Sequence, residues 1–420
     1  MAESGGEFVN PPTQKLEISP KVESTPRQNH TPVDVEAQKL DRVRKKLNNF
    51  IEKDYPRAQK LVDKKGKLIQ NPMARINLGL TAVDKDGKVI KLNQDWQPTP
   101  ESGLPQTPEP VPSEKLLQEM KSTEKVVDPE TKQKFNIIKA NWEKLSKEGQ
   151  ERVLVFLPPF NNAIEKGATN YRIQELARQL EMPTLAIDQP SIGGSDKITD
   201  KQKEAMKTGV GYKSIAEAEL RVMKELGIKE IDLVGQSMGA FTAAEIARVA
   251  SEYGIKVKNL VLIESPGIED VSLMELAKRF LAEKKYLALY QSAPYDPRMR
   301  EASGFAKGSL EQSWDLISWG ASIFKNSGIS YAEMMRKKVV PEYLKESLGA
   351  NPELELTVIN GTLSTVSPAE ANNQMVEELK TAGYSDRVHH MTLPGLGHTA
   401  LENARFFGST TKLALTGSNF

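Results

Sequence analysis

From Arg152 onward, short apolar runs alternate with stretches of helical pattern, and this alternation limits the fold more than any other feature of the chain. "RVLVFL" (152–157), "TLAID" (184–188), "IDLVG" (231–235), "LVLIE" (260–264), "LTVIN" (356–360) and "RVHHMTL" (387–393) are brief and rich in β-branched residues. Helical patterns lie between most of them, over 163–181, 213–226 and 240–254. A parallel strand covered by helices on both faces reads as a continuous apolar run rather than an alternating one. The expected class is therefore α/β, with a mostly parallel, doubly covered sheet. In such sheets ligands gather at the carboxyl ends of the strands, so those ends are the places to look for chemistry.

The rest of the chain divides by proline. Residues 1–112 hold 13 of the 25 Pro, so they do not belong to the regular pattern. Residues 1–32 are polar and without period, which predicts a disordered tail. Leu40, Val43, Leu47 and Phe50 or Ile51 recur at helical spacing with Lys and Arg between them. That predicts one amphipathic helix within 33–55, lying on its own domain or meeting a protein partner. "LTAVDKDGKVIKL" (80–92) reads as a hairpin about Asp86-Gly87. The Pro-rich stretch 97–114 reads as an extended linker. Helix, hairpin and linker make up 33–112, and the α/β domain is expected over 113–420. Residues 114–150 mix helical pattern with one strand candidate, "FNIIKANW".

Lys and Arg number 57 against 56 Asp and Glu, and this balance gives no field that would favour nucleic acid or an anionic membrane. The absence of Cys excludes disulfides, thiolate metal sites and a Cys nucleophile. No basic start leads into an apolar run, and no stretch approaches the roughly 20 apolar residues that span a bilayer. A soluble, cytoplasmic protein without a transmembrane segment is the expectation.

The strongest local signal is "GQSMGA", Gly235 to Ala240, which follows "IDLV" and precedes the helical "FTAAEIARVA". G-x-S-x-G between strand and helix forms a sharp turn that needs small neighbours and presents its serine at the helix N-terminus. Ser237 is the candidate nucleophile, expected to stand exposed there. A serine hydroxyl needs a base. Of the four His, His30 lies in the tail, and His389 and His390 sit within a predicted strand. His398 follows the last strand on the Gly-rich "LPGLGHTALEN" and is the candidate base. An oxyanion would need backbone donors. Met238 N–H is one; the loop after the first strand, "FLPPFNNA", supplies the other from Phe160 or Asn161, because Pro158 and Pro159 have no N–H.

These motifs together resemble the α/β-hydrolase superfamily. "VFLPPFNNA" stands at its oxyanion loop, "AIDQPSIGGSD" is similar to its Asp-x-x-Gly-x-Gly-x-Ser stretch, "VGQSMGA" to its nucleophile elbow and "LPGLGHTALEN" to its terminal His segment. Two departures stand out. Pro158-Pro159 replace His-Gly, and Ser364 occupies the usual place of the acid in "VINGTLSTVSP". Some members of the superfamily carry the acid directly after the preceding strand. Here that strand is "LVLIE", which makes Glu264 the implied acid, with Glu269 and Asp270 as nearby alternatives. Asp188 matches a position that is usually structural.

Between Glu264 and Leu356 the chain runs far longer than a crossover needs. Its helical patterns resemble an inserted cap over about 268–350. Trp314, Trp319, Phe324, Met334 and Met335 either line an apolar acyl pocket or bury the cap on the core. The function implied is a serine esterase or lipase-like hydrolase acting on a small-molecule ester, thioester or other acyl substrate, with no metal and no cofactor. Acyl transfer through the same groups, or an inactive fold serving as a binding module, are the alternatives.

Overall fold

The computed structural model describes residues 119, 122–145, 152–160, 162–165, 167–208, 211–280, 328–361, 364–393, 398 and 404–416. The expected tail, helix, hairpin and linker of residues 1–112 lie outside the described residues. An eight-stranded sheet runs through the rest in the order β1-β2-β4-β3-β5-β6-β7-β8. Its strands are β1 (Glu124–Val127), β2 (Lys134–Ala140), β3 (Val153–Leu157), β4 (Thr184–Ile187), β5 (Glu230–Gln236), β6 (Lys256–Ile263), β7 (Glu355–Gly361) and β8 (Val388–Leu393). β2 pairs antiparallel with β1 and with β4; every other pair is parallel.

Each of the six runs read as strands from Arg152 onward, and "FNIIKANW" before them, falls on a strand of this sheet. β3 shows why: all five residues of "VLVFL" are buried. Val153, Val155 and Leu157 join the main core cluster on one face. Phe156 points to the other face, where its ring meets Phe407 at 5.3 Å, edge-on. β1 was not foreseen. It is an edge strand with the sequence "EKVV" and almost no burial, so it carries no apolar pattern to read.

The helices are α1 (Gly167–Leu180), α2 (Asp200–Thr208), α3 (Gly211–Glu225), α4 (Met238–Val249), α5 (Gly328–Met335), α6 (Val340–Ala350), α7 (Ala369–Leu379) and α8 (Ala404–Thr416). A further helix covers 273–280. α8 packs on α1, and α4 packs between α3 and α6. The insertion between β6 and β7 contributes 273–280, α5 and α6 to the described residues; 281–327, with Trp314, Trp319 and Phe324, lie outside them. Met334 and Met335 are buried in the main core cluster, so they serve packing.

Inside the helical layer Glu219, on α3, is wholly buried and neither carboxylate oxygen has a hydrogen-bond partner. Burial alone pushes its pKa from 4.5 up to about 8. Because the folded value exceeds the unfolded one, its contribution is full below pH 4.5 and is lost as pH rises through about 8. Between pH 6 and 8 this group should cost the native state roughly 2–3 kcal/mol, which Glu219→Gln should remove. Urea denaturation of both chains at the two pH values checks this; equal pH slopes would refute it.

Candidate active site

The site is built by two neighbouring strands that end at the same level. In the β5–β6 ladder the last partners are Gln236 and Ile263. Ser237 and Glu264 are the residues that follow them, so the sheet sets them side by side. Both leave the sheet through left-handed backbone, with φ of 53° at Ser237 and 55° at Glu264. Such conformations cost about 1–3 kcal/mol in a residue with a side chain and persist only where the surroundings fix them. Here Ser237 N–H donates to Ile263 O at 2.8 Å, and Glu264 N–H donates to Ile359 O at 2.8 Å.

The turn at Ser237 is tight because strand and helix meet without side chains between them. A Cβ on Gly235 would lie 2.3 Å from Gly239 O. A Cβ on Gly239 would lie 2.0 Å from Leu157 O and 2.7 Å from Pro158 O. Gly239 therefore lets α4 rest on the end of β3, which holds the "PPF" turn beside Ser237. Beneath the elbow, the buried Arg172 donates to the Gln236 side chain.

His398 completes a row of side chains. Its Nε2 lies 2.8 Å from Ser237 Oγ, and its Nδ1 lies 3.3 Å from Glu264 Oε2. Glu264 Oε1 accepts the N–H of Gly361, at the end of β7. The carboxylate thus has a partner on each oxygen. The ring of Phe280 stands edge-on to the imidazole, 6.0 Å away at 89°. That helix end is tied to the loop after β7 by Thr365 Oγ1, which donates to Arg279 O at 2.8 Å.

One expectation needs correction: Ser237 is not exposed. Its residual exposure is 5 %, against 6 % for His398 and 1 % for Glu264. The elbow aims Ser237 at His398, whose imidazole also meets the Phe280 ring.

The other candidates fall in place as follows. Met238 is the first residue of α4, so its N–H has no intrahelical acceptor. Phe160 is half-buried in the turn after Pro158-Pro159. Asn161 lies outside the described residues. Ser364, at the usual acid position, is engaged within its own loop: its Oγ accepts Ser367 N–H at 3.1 Å. Glu269 pairs with Arg279, and Asp270 accepts Lys338 N–H at 2.9 Å, so neither is bonded to His398. Asp188 accepts from Asn136 Nδ2 at 2.8 Å, Ile164 N–H at 2.9 Å and Gly194 N–H at 3.0 Å. It joins three segments, and burial raises its pKa to about 6 despite these bonds. His389 meets Glu355 at 3.0 Å and His390 meets Asn360 Oδ1 at 2.6 Å, on the outer strand of the sheet. Sequence reading missed Gly361 as a donor to Glu264, and missed Phe280. The glycine after "VIN" was visible, but the N–H it offers depends on where Glu264 points.

Among the described residues no group of His, Asp or Glu is arranged to hold a metal ion, and no helix is long and apolar enough to cross a membrane.

A family model described as the alpha/beta hydrolase fold matches residues 153–298. No curated protein matches the chain. Three solved structures are similar to it at low identity. A bromoperoxidase from Bacillus anthracis shares 14% identity with a TM-score of 0.47, over 70% of this chain and 100% of that one. A structure of carboxylesterases from the thaumarchaeon Nitrososphaera gargenis shares 14% with a TM-score of 0.47, over 70% and 98%. An esterase from Exiguobacterium antarcticum shares 16% with a TM-score of 0.44, over 69% and 98%. The matched family model, the order of the sheet and the strand–turn–helix elbow at Ser237 give this chain the α/β-hydrolase fold.

Proposed function

We propose that the chain is a serine hydrolase that cleaves a carboxylic ester or thioester through an acyl-enzyme on Ser237. The observation that supports this reading is the bonded row Ser237 Oγ, His398 Nε2, His398 Nδ1, Glu264 Oε2, with spacings of 2.8 and 3.3 Å at its two joints. With its proton on Nδ1, the imidazole donates to Glu264 and presents an unprotonated Nε2 to the serine proton. Ser237 Oγ then attacks the substrate carbonyl carbon, and the proton on Nε2 passes to the leaving alcohol or thiol. Water repeats the sequence to release the acid. Glu264 holds the productive tautomer and stabilises the imidazolium that forms. Met238 N–H and Phe160 N–H are the donors for the carbonyl oxygen as it gains charge.

A silent binding module would have no use for a carboxylate buried against the imidazole, and Glu264 therefore favours the enzymatic reading. A fluorophosphonate probe tests it, because the probe reacts with an activated serine and resists hydrolysis. Intact-mass analysis should show one adduct, mapped by peptide sequencing to Ser237, together with turnover of p-nitrophenyl esters. A folded chain that takes no adduct and cleaves no ester or thioester would contradict the proposal.

A further inference from the structure

The insertion between β6 and β7 reaches the site from a second side, through Tyr331 on α5. Tyr331 is fully buried. Its hydroxyl donates to Pro190 O at 2.7 Å, in the loop after β4. Its ring lies 6.0 Å from that of Phe160, tilted by 56°. On its other side Tyr212 lies 5.9 Å away, and Tyr212 packs 4.3 Å from Phe241 on the nucleophile helix. The tyrosine is therefore clamped by α3, by the β4 loop and, through Tyr212, by α4, and Phe160 rests against this clamped ring.

Phe160 packs on the main core cluster, and α4 meets its turn at Pro158 across Gly239. The bonds inside its turn run from Asn162 N–H to Pro159 O at 3.2 Å and from Asn162 Nδ2 to Phe160 O at 3.0 Å. They fix the shape of the turn but not its distance from Ser237. Pro158 and Pro159 have no N–H with which to anchor it. A useful oxyanion donor must lie within about 2.7–3.1 Å of the developing charge, so a small drift of this turn weakens it.

We propose that Tyr331 is a positioning residue for the oxyanion site: its ring holds Phe160 so that the Phe160 N–H meets the substrate oxygen. The proposal rests on the reading of Ser237 as an acyl-enzyme nucleophile. It couples the insertion to the chemical step, because a shift of α5 carries the donor with it.

A pair of substrates that differ only at the carbonyl isolates this effect. Sulfur accepts hydrogen bonds poorly, so a thionoester gains less from the donor than its oxo ester does. The measurement is kcat/KM for matched p-nitrophenyl oxo and thiono esters. Tyr331→Leu should lower the oxo/thiono ratio by about tenfold, a fraction of the 10²–10³ that loss of a whole donor costs. Tyr331→Phe keeps the ring against Tyr212 but loses the bond to Pro190 O, and should lower the ratio less than Tyr331→Leu does. Phe160→Ala removes the surface that the ring holds but keeps the N–H, and should reproduce the Leu result without a change at position 331. A defect in the triad would slow both esters alike and leave the ratio unchanged. An active chain whose ratio is unaltered in Tyr331→Leu and Phe160→Ala, with native near-ultraviolet circular dichroism, overturns the proposal alone. A wild-type chain that cleaves neither ester and takes no fluorophosphonate overturns the acyl-enzyme reading and the proposal with it.

Discussion

Glu264→Gln is expected to lower kcat/KM on an ester by on the order of 10²–10⁴, the range known for loss of the charge behind a catalytic imidazole. The geometry gives a reason beyond charge. Glu264 accepts two hydrogen bonds, one from Gly361 N–H and one at His398 Nδ1. A glutamine of the same shape has one acceptor oxygen and one NH₂ group. If the oxygen stays with Gly361, the NH₂ faces Nδ1 and favours the tautomer with the proton on Nε2. That tautomer cannot take the proton from Ser237. If the amide turns over, the buried Gly361 N–H loses its acceptor, a loss that costs about 1–3 kcal/mol. Ser364→Ala is the matched control. Its hydroxyl serves Ser367 N–H in a loop turn, and turnover should stay near wild type. The opposite ranking, an inert Ser364→Ala chain beside a fully active Glu264→Gln chain, would move the acid to the β7 loop.

Among the described glycines, Gly239→Ala should be the most damaging change to alanine. The added carbon would sit 2.0 Å from Leu157 O, 2.6 Å from Leu157 C and 2.7 Å from Pro158 O. All three are backbone atoms, so no rotamer change makes room. Either α4 lifts from the sheet or the end of β3 moves, and both displace the oxyanion turn from Ser237. Overpacking of well-filled sites costs about 1–3 kcal/mol, and a backbone clash belongs at or above the top of that range. Activity should fall by on the order of 10² or more, since a misplacement of about 1 Å has that effect. Gly254→Ala calibrates the comparison. Its φ is 72° with nothing within 4 Å of a Cβ, so it should lose only about 1–2 kcal/mol of backbone strain and keep its activity. Urea midpoints and kcat/KM for the two variants decide the matter; similar behaviour would mean that the close approach at Gly239 does not hold the site.

Much of this was legible in the chain because it rests on patterns of period and size. Runs such as "VLVFL" must be buried on both sides, and "GQSMG" needs small residues wherever it bends. Glu264 could be named because it ends the strand after which some members of the superfamily carry their acid, and a carboxylate ending an apolar strand requires a partner. What the sequence did not reveal depends on direction rather than composition. The left-handed turn at Glu264, the N–H offered by Gly361 and the burial of Ser237 follow from the level at which three strands end. β1 escaped notice because an exposed edge strand such as "EKVV" is not held to any apolar alternation. Tyr331 lies far from Phe160 in the chain, and nothing local announces that a tyrosine in a helical insertion will meet a turn after β3.

The ladder between β5 and β6 carries one further consequence. The amide hydrogens of Ser237 and Glu264 are themselves bonded across the sheet, to Ile263 O and Ile359 O. Loops and helix ends open by local fluctuation, whereas central strands release their hydrogens only near global unfolding. Ser237 and Glu264 should thus exchange as slowly as the central strands and keep their spacing through every smaller opening. His398, carried on the segment after the outermost strand, is the member of the row whose departure does not require the sheet to come apart.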